Sequence, residues 1–152
     1  MTRTYLTISL CALCILGGCA SHTPLIPRIE RPLSADEAAH VARLTDMIDE
    51  AGPQWGAHSA AVRTLLGIGR IGVGRLPGGR DAWATWHPRQ TSIILAPRYW
   101  TGYFSDVGRA GLLVIEACHI MLEAEDDCDG AMFDFVRDWY AVRGYGATEG
   151  GE

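Results

Sequence analysis

Glu116 and His119 stand three residues apart inside an otherwise apolar run, Leu112 to Leu122 (LLVIEACHIML). On a helix that spacing puts both on one face. A carboxylate and an imidazole in such a run are paired or functional, because burying an unpaired charge is costly. Two chemistries are open to them: general-base and metal-ligand work, or a structural hydrogen-bonded pair completed by a neighbouring arginine. Just beyond lies the acidic stretch Glu123 to Asp129 (EAEDDCD), which reads either as a solvated loop or as a source of oxygen ligands. A thiolate site from Cys118, His119 and Cys128 is a weaker alternative, since adjacent helical residues point about 100° apart.

The elements that must position these groups are α+β in class. Ser34-Ala35-Asp36-Glu37 is a capping box, and Val41, Leu44, Met47 and Ile48 follow at helical spacing until Gly52-Pro53. A second short helix is expected from His58 to Leu66. Gly67-Ile68-Gly69-Arg70-Ile71-Gly72 spells the dinucleotide-binding GxGxxG, but a helix precedes it and a Gly/Pro-rich stretch follows, the reverse of what that site needs. Its glycines read instead as a strand with close backbone approach. Ala82 to Trp86 and Thr91 to Leu95 are expected as strands of a small antiparallel sheet, joined by a turn at His87 to Gln90. A buried central helix is expected from Ser105 to about Glu123, and a C-terminal helix from about Gly130 to Arg143 presents Met132, Phe135, Val136 and Trp139.

Composition fits one compact domain: 152 residues, 48% apolar and 20% charged. All 13 cations are arginine, against 18 carboxylates, for a net charge of -5. That balance argues against a nucleic-acid partner. Eight of the 18 carboxylates fall between Glu116 and Asp138, so the acidity gathers around the Glu116 and His119 pair.

The first 18 residues form an export signal: Arg3, an acid-free apolar run from Tyr5 to Leu16, then small residues. The run is too short to span a bilayer, which takes roughly 20 residues. Leu16-Gly17-Gly18-Cys19 resembles the bacterial lipoprotein signal, which implies cleavage before Cys19 and acylation of it. Ala20 after the anchor implies the outer membrane, with the domain facing the periplasm. Of five cysteines, Cys11 and Cys14 then leave with the signal and Cys19 carries lipid. Cys118 and Cys128 remain as the one pair, expected as a disulfide in an oxidising compartment. Residues 19–33 read as an extended, proline-rich tether, 34–145 as the domain and 146–152 as a flexible tail.

Ile115-Glu116-Ala117-Cys118-His119 resembles the HExxH helix of zinc metallopeptidases, with Ile115 in place of the first histidine. Trp86 to Pro97 is similar to the turn and cleft-lining edge strand that precede that helix in minimal zincin-like domains, and Cys128-Asp129-Gly130-Ala131 to the start of the helix that follows. The resemblance implies a minimal zincin-like fold with Glu116 as general base, and His119 and Asp129 as zinc ligands. Where the family has a further aspartate, this chain has Phe133. With its first histidine missing, the expectation is a non-catalytic domain without a cofactor. It would bind an extended peptide or envelope protein in a groove of Trp86, Ile93, Leu95 and Trp100, or serve a structural role. A zinc-dependent hydrolase with a non-standard metal shell is the alternative.

Overall fold

The computed structural model describes residues 27–85, 91–122, 128 and 130–145. The chain is α+β: four helices pack on one face of a small four-stranded sheet. Strand β1 (Arg31–Pro32) leads into α1 (Ala35–Glu50), then α2 (Gly56–Gly67), β2 (Ile71–Val73), β3 (Ala82–Thr85), β4 (Ser92–Leu95), α3 (Asp106–Leu122) and α4 (Ala131–Ala141).

The capping box forms as expected. The Ser34 hydroxyl accepts from the Glu37 N–H at 3.2 Å, and the Glu37 carboxylate accepts from the Ser34 N–H at 2.8 Å. Glu37 is also held by both terminal nitrogens of Arg31, at 2.6 and 2.7 Å. The α1–α2 corner turns at Gly52, whose φ of 134° suits glycine. Arg63 then bridges Asp46 and Asp49 at 2.8 and 2.6 Å, and Ser59 donates to Asp49, fixing α2 along α1.

The sheet order is β1-β2-β4-β3. The hairpin of β3 and β4 is antiparallel, pairing Ala82 with Leu95 and Thr85 with Ser92, but β2 runs parallel to β4. The sheet is therefore mixed, not antiparallel throughout. Nothing in a three-residue strand such as Ile71–Val73 encodes its direction; that follows from α2 returning the chain to the sheet beside β4. β1 adds a correction of its own. Residues assigned to the tether pair antiparallel with β2, Arg31 opposite Val73 and Pro32 opposite Gly72.

The glycines around β2 are there because backbone lies against them. A Cβ on Gly72 would strike the Ile29 side chain, and one on Gly74 would strike the carbonyl oxygen of Arg28. Gly67, by contrast, ends α2 and touches nothing nearby, so no phosphate-binding loop follows a strand here.

Side chains alternate across the sheet as the pleat requires. Ile71, Ile93, Leu95 and Ala82 enter the core with Val41, Leu44 and Ile48 of α1, Val62 and Leu65 of α2, Leu113, Val114 and Ala117 of α3, and Phe135 of α4. No helix among the described residues is long and apolar enough to cross a membrane.

The Arg31 guanidinium holds the Glu37 carboxyl down to about 2, from an ordinary value of 4.5. A depressed carboxyl pKa stabilises the fold above its unfolded value and loses that contribution as pH falls through the folded one. Arg31→Ala is therefore expected to return Glu37 to the ordinary carboxylate range in an NMR titration. It should also remove part of the stability loss that the native protein shows between about pH 4.5 and pH 2.

Candidate functional site

Helix α3 is the central element, packed against α1, α2, α4 and β3. Ser105 caps it, accepting from the Gly108 N–H at 3.2 Å. Gly111 lets α4 approach: a Cβ there would lie 2.7 Å from Cγ of Met132 and 3.6 Å from the Phe135 ring. The helix is buried along most of its length, through Val107, Ala110, Leu113, Val114, Ala117 and Cys118, and is exposed at its ends, at Asp106 and at Met121 and Leu122.

Glu116 is 7% exposed, the one buried charged side chain among the described residues. His119 follows one turn later, half-buried. Both are engaged with other groups, so neither is an isolated polar atom in the core. Ile115, half-buried beside them, fills the position of the first histidine with a side chain that offers no donor atom. Asp129, the expected third ligand, lies outside the described residues, as does most of the acidic stretch. Among the described residues no three His, Cys, Asp or Glu side chains gather closely enough to hold a metal ion.

Cys118 and Cys128 form a disulfide, with Cα atoms 5.8 Å apart. It joins the last turns of α3 to the residues just before α4. The thiolate alternative fails on this point, because bonded sulfurs provide no thiolate.

The expected groove does not form where the resemblance to zincin-like domains implied it. Ile93 and Leu95 are 0% exposed, and β4 lies between β2 and β3 with both of its edges paired. An extended peptide has no ladder to join there. The continuous apolar run of β4 is that of an interior strand, apolar on both faces. Trp100 is half-buried, its ring edge-on to His40 at 6.0 Å and to Tyr99 at 5.0 Å. Trp86 lies outside the described residues.

The outer strand on this side of the sheet is β3, whose Ala82 and Ala84 are only 5% and 3% exposed. The carbonyl of Asp81 accepts from the Ala96 N–H at 2.8 Å. In an antiparallel pair this makes Trp83–Ile94 and Thr85–Ser92 the hydrogen-bonded rungs, leaving the N–H groups of Ala82 and Ala84 facing away from β4.

A second cluster at the start of α3 has no sequence signature. His40 Nε2 lies 3.1 Å from Asp106 Oδ1, the same oxygen that accepts from Arg109 Nη1 at 2.9 Å. Arg109 also donates to the carbonyls of Tyr99 and Thr101, and the buried Tyr99 hydroxyl donates to the Arg109 carbonyl at 3.0 Å. Burial pushes the Tyr99 phenol far above its ordinary range. The cluster clamps the turn after β4 onto α3. Its partners are 66 residues apart in the chain, so only the packing of α1 on α3 reveals it.

Closing a loop of about ten residues contributes on the order of 2–3 kcal/mol in the chain-entropy account. Cys118→Ser/Cys128→Ser is expected to lower unfolding free energy by about that amount in urea titrations, with the helical circular-dichroism signal retained under native conditions. Non-reducing peptide mapping of the native chain should give one linked pair.

Comparison of the chain with family models, with curated proteins and with solved structures finds no match, so function rests on the residues themselves.

Proposed function

We propose that the protein is an envelope lipoprotein, acylated at Cys19 and held at the outer membrane with its domain in the periplasm. In this reading the domain is related to minimal zincins and binds rather than cuts. Ile115 carries the argument. Catalytic zinc takes three protein ligands and keeps one position for water. Removing the first histidine leaves His119 and Asp129, and drafting Glu116 as the third ligand would take away the base. These residues do not fit a zinc hydrolase, so no hydrolytic step is derived from them.

A binding role needs a surface, and the β3 edge supports one. Strand addition takes a row of N–H and C=O groups; Ala82 and Ala84 direct their N–H groups away from β4 but are only 5% and 3% exposed, so in this reading the cover over that edge moves aside before a peptide pairs there. The occupant would be an extended peptide segment of a periplasmic or envelope protein.

Three measurements test this reading. Zinc analysis of protein purified without chelator should give far less than one ion per chain, and Ile115→His should raise it; near-stoichiometric zinc in the native protein would favour the hydrolase. Titration with an alternating Val-Thr peptide should shift and protect the Ala82 and Ala84 amides in hydrogen-exchange NMR, whereas unchanged amides rule out the β3 edge. Cys19→Ala should abolish fractionation with the outer membrane.

A further inference from the structure

Two cavities meet at Arg98. One, of about 320 Å³, is lined by Asp81, Arg98, Thr101 and Tyr103. The other, of about 420 Å³, has Arg75, Arg80 and Arg98 in its walls with Leu76, Ala96 and Pro97 between them. Among the described residues no carboxylate lines this second cavity, although acids outnumber arginines 18 to 13 in the chain.

The three guanidinium groups are under-used by the protein itself. Arg75 is 81% exposed, and its carboxylate neighbour Glu30 is 3.9 Å away, beyond hydrogen-bond distance. Arg80 lies over the Trp83 ring, 4.3 Å from its centroid, which supports the flat group while leaving its N–H donors unspent. Arg98 gives its Nε to Asp81, and its Nη1 and Nη2 sit 3.5 and 3.8 Å from where a Cβ on Gly79 would be. Gly79, at a φ of 68°, thus turns the chain beside that end of the fork. Three cations around one cavity repel one another, and an oxyanion between them relieves the repulsion with paired N–H···O bonds.

The cavity also lies where the chain enters the domain. Arg28 packs its carbonyl against Gly74, and Glu30 donates its N–H to Val73 at 2.9 Å, so the incoming segment runs beside Arg75. From Cys19 to Pro27 is eight residues, a reach of about 28 Å at full extension. An acylated Cys19 therefore keeps this edge of the domain close to the bilayer surface.

We propose that the cavity walled by Arg75, Arg80 and Arg98 binds the phosphate of an anionic phospholipid headgroup in the membrane that carries the anchor. The inference rests on acylation of Cys19. Bound this way, the domain is oriented on the membrane with the arginine face down.

Phenylglyoxal footprinting tests it, using the purified full chain in phosphatidylglycerol vesicles or in nonionic detergent, with modified arginines mapped by mass spectrometry. Arg75, Arg80 and Arg98 are expected to react about tenfold more slowly in the vesicles. Arg137, already paired with Asp134 and Asp138, should react equally in both. Arg80→Gln, which leaves the Arg98–Asp81 pair in place, should restore Arg75 reactivity in vesicles while the circular-dichroism spectrum stays native. Equal rates in vesicles and detergent for a chain whose mass shows the acyl groups overturn this proposal and leave the anchor reading standing. A chain without acyl groups overturns the anchor reading and, with it, the bilayer as the source of phosphate. Protection by inorganic phosphate in detergent, without protection in vesicles, overturns the headgroup assignment in favour of a soluble anion.

Discussion

The burial of α3 is the constraint on which the other contacts depend. A helix covered by α1, α2, α4 and β3 has few positions that tolerate a polar side chain, and each one present must be satisfied locally. The polar groups follow that rule by sitting near its ends: Ser105, Asp106 and Arg109 in the first turn, Glu116 and His119 toward the last. In the middle, Gly111 yields its side-chain volume to Met132 and Phe135, and this close approach is what lets α4 cover the helix.

Both ends of α3 are then fastened by different means. At the start, one oxygen of Asp106 takes His40 from α1 and Arg109 from α3 itself, while Arg109 reaches back to two carbonyls of the turn after β4. At the far end the disulfide holds the chain that leads into α4. Helix α4 gains further attachment through Asp138, which accepts from Gln54 at 2.9 Å and from the Trp55 indole at 3.2 Å, and through Arg143, paired with Glu50 and stacked 3.7 Å over Trp139. A short helix with one fully buried side chain, Phe135, needs such polar ties at its rim because its own apolar contact is small.

Legibility in the sequence tracked the range of the interaction. The capping box at Ser34 and Glu37, the helical periodicity of Val41, Leu44 and Ile48, and the hairpin of β3 and β4 are local, and local spacing revealed them. The parallel pairing of β2 with β4 is not local, and neither is the His40–Asp106 contact; both are settled by how α1 and α2 pack. The error over Ile93 and Leu95 has the same origin. A run such as TSIIL announces burial without saying which strands stand on either side, and here both sides are occupied. For the candidate site, the placement of Glu116 and His119 three residues apart on one helix was readable from spacing alone. The place of Asp129 depends on a loop that lies outside the described residues.

Strand β1 changes what the incoming segment can do mechanically. A proline-rich stretch that stayed extended up to Ser34 would leave the domain free to swivel. Instead Arg31 and Pro32 pair with β2, and Arg31 grips Glu37 with both nitrogens. Glu37 is also the residue that closes the α1 capping box, so one carboxylate joins the entry strand, the helix start and the sheet edge. A two-residue ladder alone is weak, and the fork from Arg31 adds direction as well as energy. Any load carried along the chain toward residue 27 would meet this junction before it reached the core. The face of the domain beside Gly74 and Arg75 is therefore held at a set angle to the entering chain.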